Sequence, residues 1–251
     1  MNELFHLVER PRECSYLPEE VASLDYQVVS HLSAAEYRDL LIRGYRRFGR
    51  YLFKPACPTC RECRSLRIPV QHFDFSASQR RVLRANSGIR AELHPLYATA
   101  DHLRIFNRYH DFMAGFRGWK HKTVSAIDYI EDFVVDPFDD EEQPCAFQWL
   151  YFDGDRLLGV SLMDEVRIPG APPAISLVYC FYDPAWRPRS PGTFAILTQL
   201  DYAKRSGADY AYFGYWVEGC QSLSYKSRYA PAEVLDWPVD EGGVAVWRER
   251  S

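Results

Sequence analysis

Three cysteines at C-x2-C-x2-C spacing, Cys57, Cys60 and Cys63, lie inside the stretch RRFGRYLFKPACPTCRECRSLRIP from Arg46 to Pro69. They constrain the fold more than any other feature, because a tight loop with that spacing can turn three thiolates toward one point. Cys14, in Glu13-Cys-Ser-Tyr-Leu-Pro18, is the candidate fourth ligand, and it can serve only if the N-terminal stretch folds back against this loop. Zinc or an iron–sulfur cluster on Cys14, Cys57, Cys60 and Cys63 is one reading. Reduced thiols that pack the loop are the other. Seven cysteines, an odd number with three clustered, argue against a disulfide scaffold. Cys145, Cys180 and Cys220 fall in or beside strand-like segments and read as packing residues.

The cysteine loop is strongly basic. From Arg38 to Arg90 there are 13 Lys or Arg against 3 Asp or Glu, about +10, in a chain whose total is −4. A polyanionic partner is expected for this face. Residues 91 to 251 carry 15 basic and 24 acidic side chains, and Asp128 to Glu142 holds 8 carboxylates with no Lys or Arg. That acidic stretch reads as a solvated helix end and loop. No apolar run approaches the ~20 residues that span a bilayer, and acidic residues stand where a signal peptide is basic and then apolar, so the expected compartment is the cytoplasm.

Met1 to Val21 reads as irregular, punctuated by Pro11 and Pro18, and Tyr26 to Ser30 as a short strand. Ser33-Ala-Ala-Glu36 is a capping box that opens a helix with Tyr37, Leu40, Leu41 and Tyr45 at helical spacing. Leu66 to Val70 alternates as a strand, and Ser76 to Asn86 is a basic helix that presents Arg80, Arg81 and Arg84 on one face. Helices follow over Asp101 to Phe112 and Ser125 to Val134, on either side of the glycine- and aromatic-rich MAGFRGWKHK. Strands over Ala146 to Phe152, Arg156 to Val166 and Ala174 to Tyr182 form a meander. An amphipathic helix from Thr193 to Ser206 and a strand from Tyr210 to Tyr215 complete the pattern. Antiparallel strands leading into a helix and a further strand are the order of a GNAT-type N-acyltransferase, by fold-level analogy. The expected class is α+β, with a cysteine-containing N-terminal region (1–90) packed on a GNAT-like domain (91–251).

Several motifs together carry a more specific resemblance. Leu177-Val-Tyr-Cys-Phe-Tyr-Asp-Pro184, Arg189-Ser-Pro-Gly-Thr-Phe194, Tyr212-Phe-Gly-Tyr-Trp-Val217 and Ser224-Tyr-Lys-Ser-Arg-Tyr229 occupy the second half. Cys14-Ser-Tyr-Leu17 and Lys54-Pro-Ala-Cys-Pro-Thr-Cys60 occupy the first. With these motifs in this order, the chain resembles the aminoacyl-tRNA protein transferase family of the N-degron pathway. Within it the chain is most similar to bacterial aspartate/glutamate leucyltransferases, with arginyl-tRNA protein transferases as close relatives. The resemblance implies transfer of an amino acid from charged tRNA to the N-terminal amine of a protein beginning with Asp or Glu. It also implies a cysteine group in the N-terminal region, and no cofactor required for the transfer.

That chemistry needs little from the protein in the way of a base. An N-terminal amine has a reference pKa of ~7.7 to 8.0, so roughly a tenth is the neutral nucleophile at pH 7, and the aminoacyl ester is already activated. Alignment and stabilisation of the tetrahedral oxyanion are the main tasks. Tyr215, Tyr225 and Lys226 are the catalytic candidates. An acidic N-terminal side chain calls for a cation, and Lys54, Arg64, Arg67, Lys226 and Arg228 are available. An apolar leucyl side chain calls for a slot such as Phe181, Tyr182, Tyr215 and Trp216 provide, although aromatics in strands more often fill a core. Phosphates of tRNA can be met by Arg46, Arg47, Arg50, Arg80, Arg81 and Arg84. Arg189-Ser-Pro-Gly-Thr193 before a helix is a weak anion site, poor in glycine, and Asp183 and Asp201 are proton acceptors or helix caps. An acyl-CoA-dependent N-acetyltransferase and a non-catalytic RNA-binding or metal-sensing module are the alternatives.

Overall fold

The computed structural model describes residues 1–138, 145–239 and 242–250. In chain order its strands are β1 (Asn2–Val8), β2 (Arg12–Glu13), β3 (Val21–Ala22), β4 (Leu24–His31), β5 (Arg46–Phe48), β6 (Tyr51–Pro55), β7 (Arg64–Pro69), β8 (Arg90–Pro95), β9 (Ala146–Asp153), β10 (Arg156–Ile168), β11 (Ala171–Tyr182), β12 (Tyr210–Trp216), β13 (Glu233–Leu235) and β14 (Trp247–Glu249). Its helices are α1 (Ala34–Ile42), α2 (Ala77–Ala85), α3 (Ala100–Arg117), α4 (Ala126–Phe133) and α5 (Pro191–Arg205). The large sheet has the order β14-β13-β7-β12-β11-β10-β9-β8, and a four-stranded sheet has the order β1-β4-β6-β5.

Period-two alternation puts a different core on each face of the large sheet. Trp149 and Tyr151 of β9 join Met163, Ile175, Phe194, Leu197 and Leu200 beneath α5, while Leu150 joins Val160, Phe106, Tyr129 and Phe181 beneath α3 and α4. Each such side chain contributes roughly 1.5–3 kcal/mol when fully buried. The antiparallel β9-β10-β11 meander followed by α5 and a strand parallel to β11 makes this a GNAT-like acyltransferase fold. The small sheet and α1 dock against it through Leu32, Tyr37, Leu41 and Leu52, which meet Val166, Ala174 and Tyr212.

Local chemistry sets the helix boundaries. Capping boxes at Ser33/Glu36, Ser76/Gln79 and Ser125/Asp128 satisfy the first amides of α1, α2 and α4. The structure also departs from expectation. The segment expected to be irregular contains β1, which pairs antiparallel with β4 although all its residues are exposed, so backbone pairing forms it without a buried face to announce it. Helix α3 runs past Phe112 to Arg117 and stops at Gly118, whose φ of 68° suits a left-handed cap. Strand β7, from the basic stretch, lies inside the large sheet between β12 and β13. Of the acidic run, Asp139, Asp140, Glu141 and Glu142 lie outside the described residues.

Candidate functional site

Strands β11 and β12 are parallel but pair only at Ala174–Tyr210, Ile175–Ala211 and Ser176–Tyr212. Beyond these residues the two strands part, β11 toward Tyr182 and β12 toward Trp216. A bulge between Tyr212 and Gly214, with Gly214 at φ 73°, bends β12 away. The fork leaves unpaired backbone groups that something must satisfy.

Arg46 of β5 satisfies them. Its Nη2 donates to the Leu177 carbonyl at 2.6 Å and, at 3.5 Å, to that of Val178. The guanidinium lies so close to β12 that a Cβ on Gly214 would stand 2.6 Å from its Cζ. Arg46 is 9% exposed, and its Nη1 is buried with no hydrogen-bond partner among the described residues. A buried guanidinium that lacks a carboxylate is costly, and an orphaned buried N–H calls for an explanation. The fork is thus arranged as an anion site.

Lys226 stands beside it. Its Nζ donates to the Tyr215 carbonyl at 2.6 Å. Burial first, and Arg46 second, pull the ammonium down to about 7. Burial also pushes the Tyr225 phenol up to about 12, in a neighbourhood of Cys180, Arg46 and Tyr182. Tyr182 packs on Tyr109, with ring centroids 4.9 Å apart, and faces Gly192 at the start of α5. That start is bare: Ser190 is left-handed at φ 56°, no side chain caps it, and Pro191 has no N–H. The opening amides of α5 therefore have no side-chain cap, and with the positive end of the helix dipole they lie near Tyr182.

The other expected residues are placed as follows. Tyr215 is buried, and its hydroxyl lies 3.2 Å from the Gly44 and Phe53 carbonyls, so it ties β12 to the small sheet. Lys54 is buried 3.7 Å from Asp25 and lies over the Tyr45 ring, in an open cleft lined by Trp237, Pro238 and Val239 rather than in the fork. Arg67 is held by Glu233 at 2.6 Å and by the rings of Tyr210 and Trp247. Arg64 and Arg250 each lie over the Trp216 ring, at 4.5 and 4.7 Å. Phe181 and Trp216 are buried, which leaves Tyr182 as the member of the expected apolar slot that borders the cleft. Asp183 is a fully buried cap: it accepts from Ala185 N at 3.0 Å and from Arg156 at 2.6 Å. Asp201 pairs with Arg205 at 2.9 Å on α5. Arg189 and Arg228 are exposed.

The expected phosphate contacts divide. Arg50, Arg80, Arg81 and Arg84 are exposed. Arg47 is instead buried in an ion pair with Asp164, with Nη1 donating to the Gly49 carbonyl at 2.6 Å, so it is withdrawn from the surface a phosphate could reach. Arg46 is in the fork. Its place there was not legible from the sequence, but Gly214 inside a strand pattern was the available signal for close backbone approach.

The Cys14 stretch does fold back on the cysteine loop. Leu17 packs with Cys63, Tyr215, Val217 and Cys220, and burial pushes the Cys63 thiol up to about 12, with Cys57, Cys14, Cys60 and Cys220 around it. All seven cysteines are free thiols. Among the described residues no three or more His, Cys, Asp or Glu side chains are grouped to hold a metal ion. Cys57 donates to the Ser23 carbonyl and Cys14 accepts from the Tyr16 amide.

The meander, α5 and parallel strand, with two buried basic side chains in their fork, define a GNAT-like fold with a candidate acyl-transfer site. Models of the arginine-tRNA-protein transferase family match residues 12–81 (N terminus) and 101–236 (C terminus). The chain is 36% identical over 223 residues, 89% of either chain, to an aspartate/glutamate leucyltransferase of Campylobacter jejuni, and 31% identical over 244 residues, 97% of either chain, to one of Helicobacter hepaticus. A solved FemX structure covers 85% of this chain and 79% of its own at 10% identity and a TM-score of 0.44, too distant to carry an argument. The chain belongs to the arginine-tRNA-protein transferase family, and it is an aminoacyltransferase.

Proposed function

We propose that this chain transfers leucine from leucyl-tRNA to the N-terminal amine of proteins beginning with Asp or Glu. The observation that carries the reading is Arg46 beside Lys226 in the fork of β11 and β12, two buried cations in a chain of this family. The printed names of the relatives supply leucine and the Asp or Glu acceptor. A small cavity of about 150 Å³ is lined by Phe48, Phe106, Phe133, Tyr179 and His110 together with the Lys122–Asp132 ion pair; its aromatic wall supports an apolar donor, and Phe48 stands two residues from Arg46 on β5. Charged tRNA as the substrate supports a cytoplasmic setting, and no helix among the described residues is long and apolar enough to cross a membrane.

In this reading the α-amine attacks the ester carbonyl. A C–N bond forms, and the C–O bond to the terminal ribose breaks. The amine's proton passes to the Lys226 Nζ, which near neutrality is present partly as the free amine, and the Lys226 ammonium so formed returns that proton to the departing ribose oxygen. Arg46 Nη1 faces the developing oxyanion, the kind of contact whose removal costs ~10²–10³ in rate. Nη1 is sealed from solvent, so substrate entry requires neighbouring side chains to move. The test offers purified protein leucyl-, arginyl- and phenylalanyl-tRNA with peptides beginning with Glu, Asp or Gln. Leucine should move to the Glu and Asp peptides. Silence with both leucyl and arginyl donors overturns the reading.

A further inference from the structure

Beyond the fork, the end of α3 carries a surface that the chemistry above leaves unused. Phe112 and Phe116 stack at 5.2 Å with planes 17° apart, and Phe116 is 45% exposed. Arg187 lies over the Phe116 ring at 4.1 Å and Arg117 at 5.2 Å. Arg187 belongs to the 3-10 turn Pro184–Arg189, which leads directly into the bare start of α5. No carboxylate among the described residues pairs with Arg117, Arg187 or Arg189, and all three are exposed. A large apolar ring held open to solvent between unpaired guanidinium groups is not explained by core packing.

The surface lies beside Tyr182 at the cleft. Tyr182 packs on Tyr109 of α3 at 4.9 Å and on Trp186, the neighbour of Arg187 in the 3-10 turn, at 6.5 Å. On the other side, Asn86 at the end of α2 donates to the Arg189 carbonyl at 2.8 Å, which brings the exposed Arg80, Arg81 and Arg84 helix alongside. Aromatic faces accept any base by stacking, and flanking arginines meet the phosphates between bases. Single-stranded RNA offers a base and a phosphate at every nucleotide, a regular pairing of π-face and negative charge that a protein acceptor's surface does not repeat. We infer that Phe116, backed by Phe112 and flanked by Arg117 and Arg187, is the platform on which the single-stranded 3′ end of the RNA donor stacks, so that its esterified terminus enters past Tyr182.

This rests on the aminoacyl-tRNA reading, and the test separates the two. Binding is measured for uncharged tRNA with its single-stranded 3′ end intact or with the last four nucleotides removed, using the wild type, F116A, F116W, the double variant R117Q/R187Q, and R104A as a control on the same helix. The wild type should prefer intact tRNA by about tenfold or more, F116A should lose most of that preference, and F116W and R104A should keep it. R117Q/R187Q should lower the log–log salt slope by about 1–2 on intact tRNA and leave the truncated form unchanged. Because Phe116 is exposed, F116A should melt as the wild type does. A wild-type preference retained in F116A overturns the platform. A wild type that transfers leucine but binds both tRNA forms equally overturns it too, and leaves the function standing. A wild type that neither binds tRNA nor transfers an amino acid overturns the function instead.

Discussion

Lys226 is the residue whose ionisation the fork controls. Its ammonium is buried near Arg46 and drawn from 10.5 to about 7, so the fold binds a proton there less readily than the unfolded chain does. Stability therefore rises with pH between about 7 and the ordinary lysine value, and the deficit is constant below that window. K226M removes the charge. It should melt higher than the wild type at pH 6 to 7, with the advantage shrinking as the pH approaches 10, while transfer falls at every pH and the rising limb of the rate profile moves from near 7 to that of the acceptor amine alone, at ~7.7 to 8.0. Melting curves and initial rates across that range check both. A K226M enzyme with an unchanged rate profile would remove Lys226 from the chemistry.

At the scale of elements, the fork depends on one bulge in β12. Gly214 combines φ 73° with a backbone approach that leaves no room for a Cβ beside Arg46. G214A should cost about 2–4 kcal/mol, the sum of a left-handed penalty and displacement of the guanidinium, and lower the melting temperature by roughly 5–15 °C. Thermal unfolding measures this directly, and a loss under about 2 °C would mean that the bulge tolerates a side chain.

The helices and the meander were legible in the sequence because capping boxes, helical spacing and alternation are local signals. Strand β1 was not, since its formation depends on pairing with β4 twenty or so residues away and buries none of its side chains. Neither was the division of the neighbouring pair Arg46 and Arg47. Alternation sends one into the fork and the other to Asp164, and nothing in two consecutive arginines says which partner awaits each. Lys226 could be read from its motif, and Asp183 could be read as a cap. The placing of Lys54 against Asp25, in a cleft apart from the fork, was not legible either, because it depends on strand pairing between β4 and β6.

Over the whole molecule, charge is used twice. Exposed arginines on α2, the end of α3 and the turn before α5 line the approach, while Arg46 and Lys226 hold positive charge inside, where solvent does not screen it. The cysteine loop and the Cys14 stretch pack against the same strand, β12, that carries Gly214 and Tyr215, so this region braces one wall of the cleft. The central claim is that the fork joins the acyl group to the amine. Its most direct test is transfer of labelled leucine from leucyl-tRNA to a peptide beginning with Glu, by wild type and R46Q, with tRNA affinity measured alongside. Wild-type turnover, with kcat/KM reduced by about 10²-fold or more in R46Q and tRNA affinity within about threefold, is the predicted result. R46Q turnover equal to that of the wild type would contradict it.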